Sequence, residues 1–303
     1  MTFKIPTRDE AKRITEVCEA FYCTNAFVEG FKVEMYDYRL ASYKDFKDNE
    51  AFELRGLSYI FNPTTNNWET NIALNKFFNV DQCEDWNYED LKDKEIVRVQ
   101  DKLDGSMITF VQLPNGVVRA KSKMSFESDQ AKMAQKIYDE NENIRNAVGQ
   151  SLLNGETLIW ELVSPQNQIV LEYNKTELIL LQGRENLTGR YLTKSELFRY
   201  VNCFELEISE FCEVSTLEDY MKLKETKVGI EGWVISFLDG QMAKIKTADY
   251  LSKHGIFTQL REDDIMTLTL NQEIDDVITT LTGERKVFVE DVSQKVINKF
   301  NHL

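Results

Sequence analysis

Apolar and polar positions fall into two rhythms along this chain, helical spacing at both ends and strict alternation through the middle. Thr7-Arg8-Asp9-Glu10 has the spacing of a capping box and precedes apolar residues at Ala11, Ile14, Cys18 and Phe21, which predicts an amphipathic helix. Alternation follows at Glu53–Tyr59 and Glu95–Gln100. Met107–Leu113 and Val117–Lys123 flank Pro114-Asn115-Gly116, a hairpin signal. A two-residue Asn115-Gly116 turn sets Lys121 opposite Phe110 and Lys123 opposite Ile108, with Arg119 on the same face. Those three cations form either a phosphate-binding strip or a solvated strand face.

Residues 127–148 read as one polar helix with Ala131, Ala134, Ile137 and Tyr138 on its better face. The strand Thr157–Val163 puts Glu161 beside Ile159 and Val163. A carboxylate on an apolar face needs a partner, whether a ribose hydroxyl, a cation, a metal or a structural salt bridge. Strand character continues through Ile169–Leu171 and Leu178–Leu181, and capping boxes at Thr193–Glu196 and Ser215–Glu218 open two short helices. Asp239-Gly240 centres a second hairpin. Counted as a two-residue turn, it pairs Ile235 with Lys244 and Trp233 with Lys246, and puts Glu231 on the same face. That gathers one acid and two lysines, as a phosphate site needs or as a surface ion-pair strip has. From Asp249 onwards the pattern is helical, with stripes at Ile274, Val277, Ile278 and Leu281, then Val287, Val292, Val296 and Phe300. The fold class is α+β.

Composition narrows the chemistry. At 303 residues and 42% apolar content the chain can hold one large domain and a small one. No stretch reaches the ~18 apolar residues of a membrane span, and the start lacks a signal-peptide core, so a soluble, cytoplasmic protein with no membrane association is expected. Five scattered cysteines without a C-x-x-C pair suit reduced thiols. Only His254 and His302 are histidines, so acid–base work falls to Lys, Arg and carboxylates. The net charge of −15 weighs against long non-specific tracking along nucleic acid and leaves room for a small basic cleft that holds an end.

The stretch around which the rest is organised is Lys102-Leu103-Asp104-Gly105-Ser106, just after the Glu95–Gln100 strand. A neutral lysine amine can attack the α-phosphate of a nucleoside triphosphate, provided its site depresses a pKa of ~10.4. Asp104 would orient the ammonium or the hydration shell of a metal, and Gly105 would let the backbone approach phosphates. The same residues also fit an Asp-Gly turn after a solvated lysine. Asn75-Lys76-Phe77-Phe78-Asn79 reads as a further polar–aromatic segment or as an edge of core.

Lys102–Ser106, Glu161, Glu231-Gly232 and Lys244-Ile245-Lys246 resemble, in order and spacing, motifs I, III, IV and V of the covalent nucleotidyltransferases, which include polynucleotide ligases and RNA-capping enzymes. The segments Leu54-Arg55-Gly56, Asn75–Asn79, Lys121-Ser122-Lys123, Val163–Leu171 and Gly183–Asn186 are most similar to the phage-type ATP-dependent RNA ligase 1 family, the tRNA-repair ligases. The resemblance implies a nucleotidyltransferase domain of antiparallel sheets flanked by helices over residues 1–254, and a small all-α C-terminal domain over 255–303. It implies Lys102 as the adenylated lysine, with Tyr38, Arg55 and Lys76 near the ATP phosphates or nucleoside; Tyr36 fits in place of Tyr38 at a one-residue shift. Glu161 matches a nucleotide-binding acid, and Glu231 the acid that supports metal and nucleotide. Lys244 and Lys246 match the lysines at the α-phosphate. Asp104, Gly105, Phe77, Lys121, Lys123, Gly232 and Tyr250 match supporting positions. Asp275-Asp276 falls where the family carries an acidic pair that can hold a metal, or is a solvated helix face.

The implied reaction is ATP-dependent joining of RNA ends, a 5′-phosphate to a 3′-hydroxyl, through lysyl-AMP and adenylylated RNA, with Mg²⁺ or Mn²⁺. The implied partner is single-stranded RNA or a nicked tRNA anticodon loop, met by a monomer, in the host cytoplasm if the protein is viral. The tail shows no alternating strands, which argues against the β-barrel that follows motif V in DNA ligases and capping enzymes. It is also shorter than the helical domain linked to tRNA recognition. A DNA-joining or capping nucleotidyltransferase, or an inactive RNA-end-binding protein, are the alternatives.

Overall fold

Thr7 and Glu10 cap each other's backbone and start helix α1 (Arg8–Val17), which buries Ala11 and Ile14. The helix stops at Val17, so Phe21 belongs to the following strand and not to the helical stripe. The computed structural model describes residues 4–167, 170–213, 215–257, 262–270, 274–278 and 283–300. Strands β1 (Phe21–Val28), β2 (Phe31–Tyr38), β3 (Leu57–Asn62) and β4 (Asn67–Asn71) form an antiparallel sheet in that order, with α2 (Tyr43–Asp48) in the β2–β3 connection. Then come β5 (Phe78–Asn79), α3 (Tyr88–Leu91), β6 (Ile96–Lys102), β7 (Ser106–Gln112) and β8 (Val118–Lys121). They are followed by α4 (Asp129–Glu140), α5 (Glu142–Leu153), β9 (Glu156–Val163), β10 (Glu177–Glu185), α6 (Lys194–Phe204), α7 (Leu217–Leu223), β11 (Gly232–Phe237) and β12 (Met242–Lys246). One further sheet has the order β10-β9-β7-β8 and another β5-β12-β11-β6; among the described strand pairs only the short β5–β12 pairing is parallel.

An aromatic core that includes Tyr38, Phe46, Trp86, Trp233 and Ile235 lies against the β5-β12-β11-β6 sheet. A second core packs Leu158, Trp160 and Leu162 of β9 with residues of α4, α5 and α6. Because side chains alternate along a strand, committing Trp160 and Leu162 to the helices turns Ile159 and Glu161 the other way. The helices α8 (Ala248–Phe257), α9 (Glu262–Leu270), α10 (Ile274–Ile278) and α11 (Gly283–Phe300) follow, with Ile265, Ile274, Val277, Val289 and Val292 as a separate small core. Val287 is exposed, so the stripe on α11 runs through Val289 and Val292 instead; Leu281 lies outside the described residues.

Both hairpins differ from the expected register by one residue. Gly116 donates its N–H to Leu113 (2.8 Å) and Gly240 donates to Phe237 (2.9 Å), with φ of +86° and +83°. Pairing resumes one residue later, Leu113 to Val117 and Phe237 to Gln241. These are three-residue loops with a left-handed glycine at the third position, not two-residue turns. Lys121 therefore faces Thr109, and Arg119 faces Val111; Lys244 faces Val234, and Lys246 faces Gly232. A one-residue slip turns every side chain to the other face. Trp233 and Ile235, 2% and 0% exposed, go into the aromatic core, where a lysine would be costly, and the two lysines go to the opposite face.

Smaller departures have equally local causes. The polar helix expected over 127–148 is two helices, because the Asn141 side chain accepts from Ile144 N–H and starts α5 where α4 ends. The Ser215–Glu218 box moves one residue on, to Thr216 and Asp219. Val170 and Leu171 lie outside the strands, their N–H groups taken by a carboxylate.

Candidate active site

Lys102 of β6, Gly232 of β11 and Lys246 of β12 stand abreast in one row of the sheet, and Gln100, Val234 and Lys244 two rows on, on the same face. A Cβ on Gly232, at φ +154°, would meet the Ile245 carbonyl oxygen at 1.9 Å, so this position accepts only glycine. Glu231, 2% exposed, accepts on a single oxygen from Lys102 Nζ at 2.8 Å and from Lys246 Nζ at 3.2 Å. Of the two hairpin lysines expected beside Glu231, Lys246 pairs with it, and its other partner is Lys102 rather than Lys244. A cleft of about 410 Å³ opens over them, with Glu161 of β9 on its lining. Lys246 lies over the Tyr250 ring at 5.2 Å and Lys244 over the Phe77 ring at 5.6 Å.

Asp104 and Gly105 act differently from expectation. Asp104, 1% exposed, accepts on Oδ2 from the N–H groups of Val170 (2.8 Å) and Leu171 (2.7 Å), and on Oδ1 from the Tyr250 hydroxyl (2.9 Å). It ties the Lys102 turn to the loop after β9 and to α8, with both oxygens engaged away from Lys102. A Cβ on Gly105 would lie 2.4 Å from the Leu162 carbonyl oxygen and 3.0 Å from Glu161 Cγ. This glycine lets the chain pack on β9 beneath Glu161.

The cleft also collects Tyr38, Arg55, Lys76 and Lys123. Lys76 Nζ donates to the Tyr38 hydroxyl at 2.8 Å and sits 4.5 Å from the centre of that ring. Tyr36 is 1% exposed and its hydroxyl donates to Glu34, so Tyr38 rather than Tyr36 lines the cleft. Arg55 Nη1 reaches the Leu74 carbonyl at 3.3 Å and Met107 Sδ at 3.2 Å. Lys123 Nζ lies 3.5 Å from Asp37 and 5.7 Å from the Tyr38 ring centre. The expected three-cation strip does not form: Arg119 pairs with Glu29 and Glu127, Lys121 is buried, and Lys123 lies beyond the end of β8.

A pair that sequence reasoning missed braces this end of the cleft. Arg184 donates to both oxygens of Glu53 at 2.8 and 2.7 Å, and also to the carbonyls of Ala73 and Gly189. Both side chains are almost fully buried. The pair links the segment that carries Arg55 to the segment that carries Lys76 through β10. With the partners 131 positions apart in the chain, its only signal was the Gly183–Asn186 segment lying within the resemblance. Glu53→Gln leaves a buried guanidinium short of its counter-charge and is expected to destabilise the fold by about 3–5 kcal/mol in chemical denaturation. A loss below about 1 kcal/mol would mean that the carbonyls alone satisfy Arg184.

Burial pushes the Glu161 carboxyl up to about 8; Lys102 and Arg55 oppose the rise, and Glu231 and Asp104 add to it. An acid whose folded pKa is raised contributes stability that is fully present below its unfolded value and is lost as pH rises through about 8. The protein should therefore lose stability between roughly pH 5 and 8, on the order of 2 kcal/mol after screening in the half-open cleft, and Glu161→Gln should flatten that slope. Parallel pH profiles of melting for the two proteins would contradict this. Among the described residues no three His, Cys, Asp or Glu side chains gather as a metal cage. The side chains of Asp275 and Asp276 lie outside the described residues.

Comparison with known proteins decides the family. The family model described as RNA ligase matches residues 53–253, a span that contains Arg55, Lys76, Lys102, Glu161, Glu231, Lys244 and Lys246. The chain belongs to the RNA ligase family. A protein of Thermovibrio ammonificans, provisionally named an RNA ligase, is 30% identical over 255 residues, which cover 81% of this chain and 65% of that relative. The chain thus spans just under two thirds of that relative's length. Among solved structures, an archaeal ATP-dependent RNA ligase superposes with a TM-score of 0.59 at 12% identity, over 94% of this chain and 76% of that one. An Aquifex aeolicus protein provisionally named an ATP-dependent DNA ligase superposes with a TM-score of 0.58 at 15% identity, over 96% and 71%. These likenesses show that this RNA ligase family member has the α+β fold of nucleotidyltransferase domains, antiparallel sheets flanked by helices.

Proposed function

We propose that the protein is an ATP-dependent RNA ligase that joins a 5′-phosphate to a 3′-hydroxyl, with Lys102 as its nucleophile. The observation that carries this is the Glu231 oxygen shared by Lys102 and Lys246, at the edge of a cleft that also holds Arg55, Lys76 and Lys123. The α-phosphate of ATP belongs beside Lys102, and the β- and γ-phosphates towards Arg55, Lys76 and Lys123. Lys102 attacks the α-phosphorus, the bond to pyrophosphate breaks, and a lysyl-AMP phosphoramidate forms. Lys244 and Lys246 stabilise charge on the transferring phosphoryl group. In this reading Glu161 hydrogen-bonds the nucleoside.

In the next step a 5′-phosphate oxygen of RNA displaces Lys102 and takes AMP. In the last, the 3′-hydroxyl loses its proton, attacks the 5′-phosphate and expels AMP. Mg²⁺ or Mn²⁺ arriving on the triphosphate would spread its negative charge; Glu231 is a cleft carboxylate suited to a metal that keeps most of its waters. The described residues after β12 are helical, which favours RNA joining over an enzyme that carries a β-barrel there. We assign residues 1–254 to adenylyl transfer and 255–303 to a small helical unit. A cytoplasmic monomer acting on single-stranded ends or a nicked anticodon loop fits this reading.

Incubation with α-labelled ATP or GTP and magnesium tests the nucleotide. Label retained from ATP on a denaturing gel supports the ligase; label from GTP alone would indicate capping chemistry, and no label an end-binding protein.

A further inference from the structure

Lys121 is a buried lysine that the chemistry above does not use. Its side chain is 1% exposed, and Nζ donates to three backbone carbonyls, those of Gly56 (2.9 Å), Ser122 (3.3 Å) and Lys123 (3.2 Å). Three acceptors match the three N–H donors of an ammonium; a neutral amine has only two and would turn its lone pair on the third carbonyl. Burial pulls the Lys121 amine down to about 7, and the charge of Asp37, 0% exposed with neither oxygen hydrogen-bonded and 3.5 Å from Lys123 Nζ, opposes that fall. Gly56 sits at φ +74° against the Lys123 backbone, where a Cβ would come within 3.2 Å of the Lys123 carbonyl oxygen. The caged ammonium therefore joins two segments far apart in sequence. Each carries one cationic arm of the cleft, Arg55 immediately before Gly56 and Lys123 itself.

We propose that Lys121 is a positioning residue: its cage fixes the Gly56 and Lys123 backbones and so sets the spacing of Arg55 and Lys123 around the triphosphate. The inference rests on the ligase reading for its substrate. It separates the steps of the reaction, because the β- and γ-phosphates take part in adenylation and are absent when a pre-adenylylated RNA is sealed. A lysine that merely held the fold together would affect both steps alike.

Lys121→Met keeps the length of the side chain and removes the charge and all three donors. Its KM for ATP in adenylation is expected to rise about tenfold, while sealing of pre-adenylylated RNA in the absence of ATP stays within about twofold of wild type. An unchanged KM, or a parallel fall in both steps by a folded variant, overturns the proposal. Should Lys121→Met fail to fold, Asp37→Asn gives the second reading. It keeps the three carbonyl bonds, removes the counter-charge, and is expected to raise KM for ATP about threefold with sealing unaffected; an unchanged KM there also overturns it. If wild type forms the ATP adduct with this dependence on Lys121 but seals no pre-adenylylated RNA, the ligase reading fails and the role of Lys121 stands.

Discussion

Lys102→Ala is expected to leave no covalent nucleotide on the protein after incubation with ATP and magnesium, a fall of at least about 10³-fold in adduct formation. The folded state should survive. Glu231 keeps Lys246 at 3.2 Å when Lys102 is gone, so no buried charge is left without a partner. Lys244 and Lys246 share the face but cannot stand in for Lys102, since β11 lies between β6 and β12 and holds each lysine to its own place in the row. Normal labelling of a folded Lys102→Ala protein would end the assignment of the nucleophile.

Glu231→Ala and Lys246→Ala should both slow adenylation by about 10²–10³-fold, yet differ in stability. Removing Glu231 leaves two ammonium groups close together without their carboxylate, one on a side chain only 6% exposed, and is expected to cost about 3 kcal/mol. Removing Lys246 leaves the Lys102–Glu231 pair intact and should cost less than about 1 kcal/mol beyond the lost packing. Rates near wild type in both variants would make the cluster an ion-pair network without a part in catalysis. Equal stability losses would show that Glu231 does not hold the two lysines together.

Much of this was legible in the sequence, and the failures have identifiable causes. The capping boxes at Thr7 and Thr193 are local, each reading out within four residues, and both occur as written. Glu231, Lys244 and Lys246 could be grouped from one hairpin, and Lys102 was joined to them by the family resemblance. Their register could not, because Asp-Gly and Asn-Gly serve both a two-residue turn and the third position of a three-residue loop. The aromatic core selects the longer loop by taking Trp233 and Ile235, a contact between elements far apart in the chain. The same limit hid Glu53 from Arg184. Lys121 and Lys123 look interchangeable as sequence, and only the carbonyls of Gly56, Ser122 and Lys123 separate the buried cation from the one in the cleft.

The most direct test is a chase. The protein is labelled with α-³²P-ATP, freed of nucleotide, and mixed with short RNA bearing a 5′-phosphate and a 3′-hydroxyl. Label is expected to leave Lys102, appear transiently on the RNA 5′ end and then be released as AMP while a ligated product accumulates. Label that stays on the protein, or a ligated product formed without loss of label from Lys102, would contradict an RNA ligase working through this lysine.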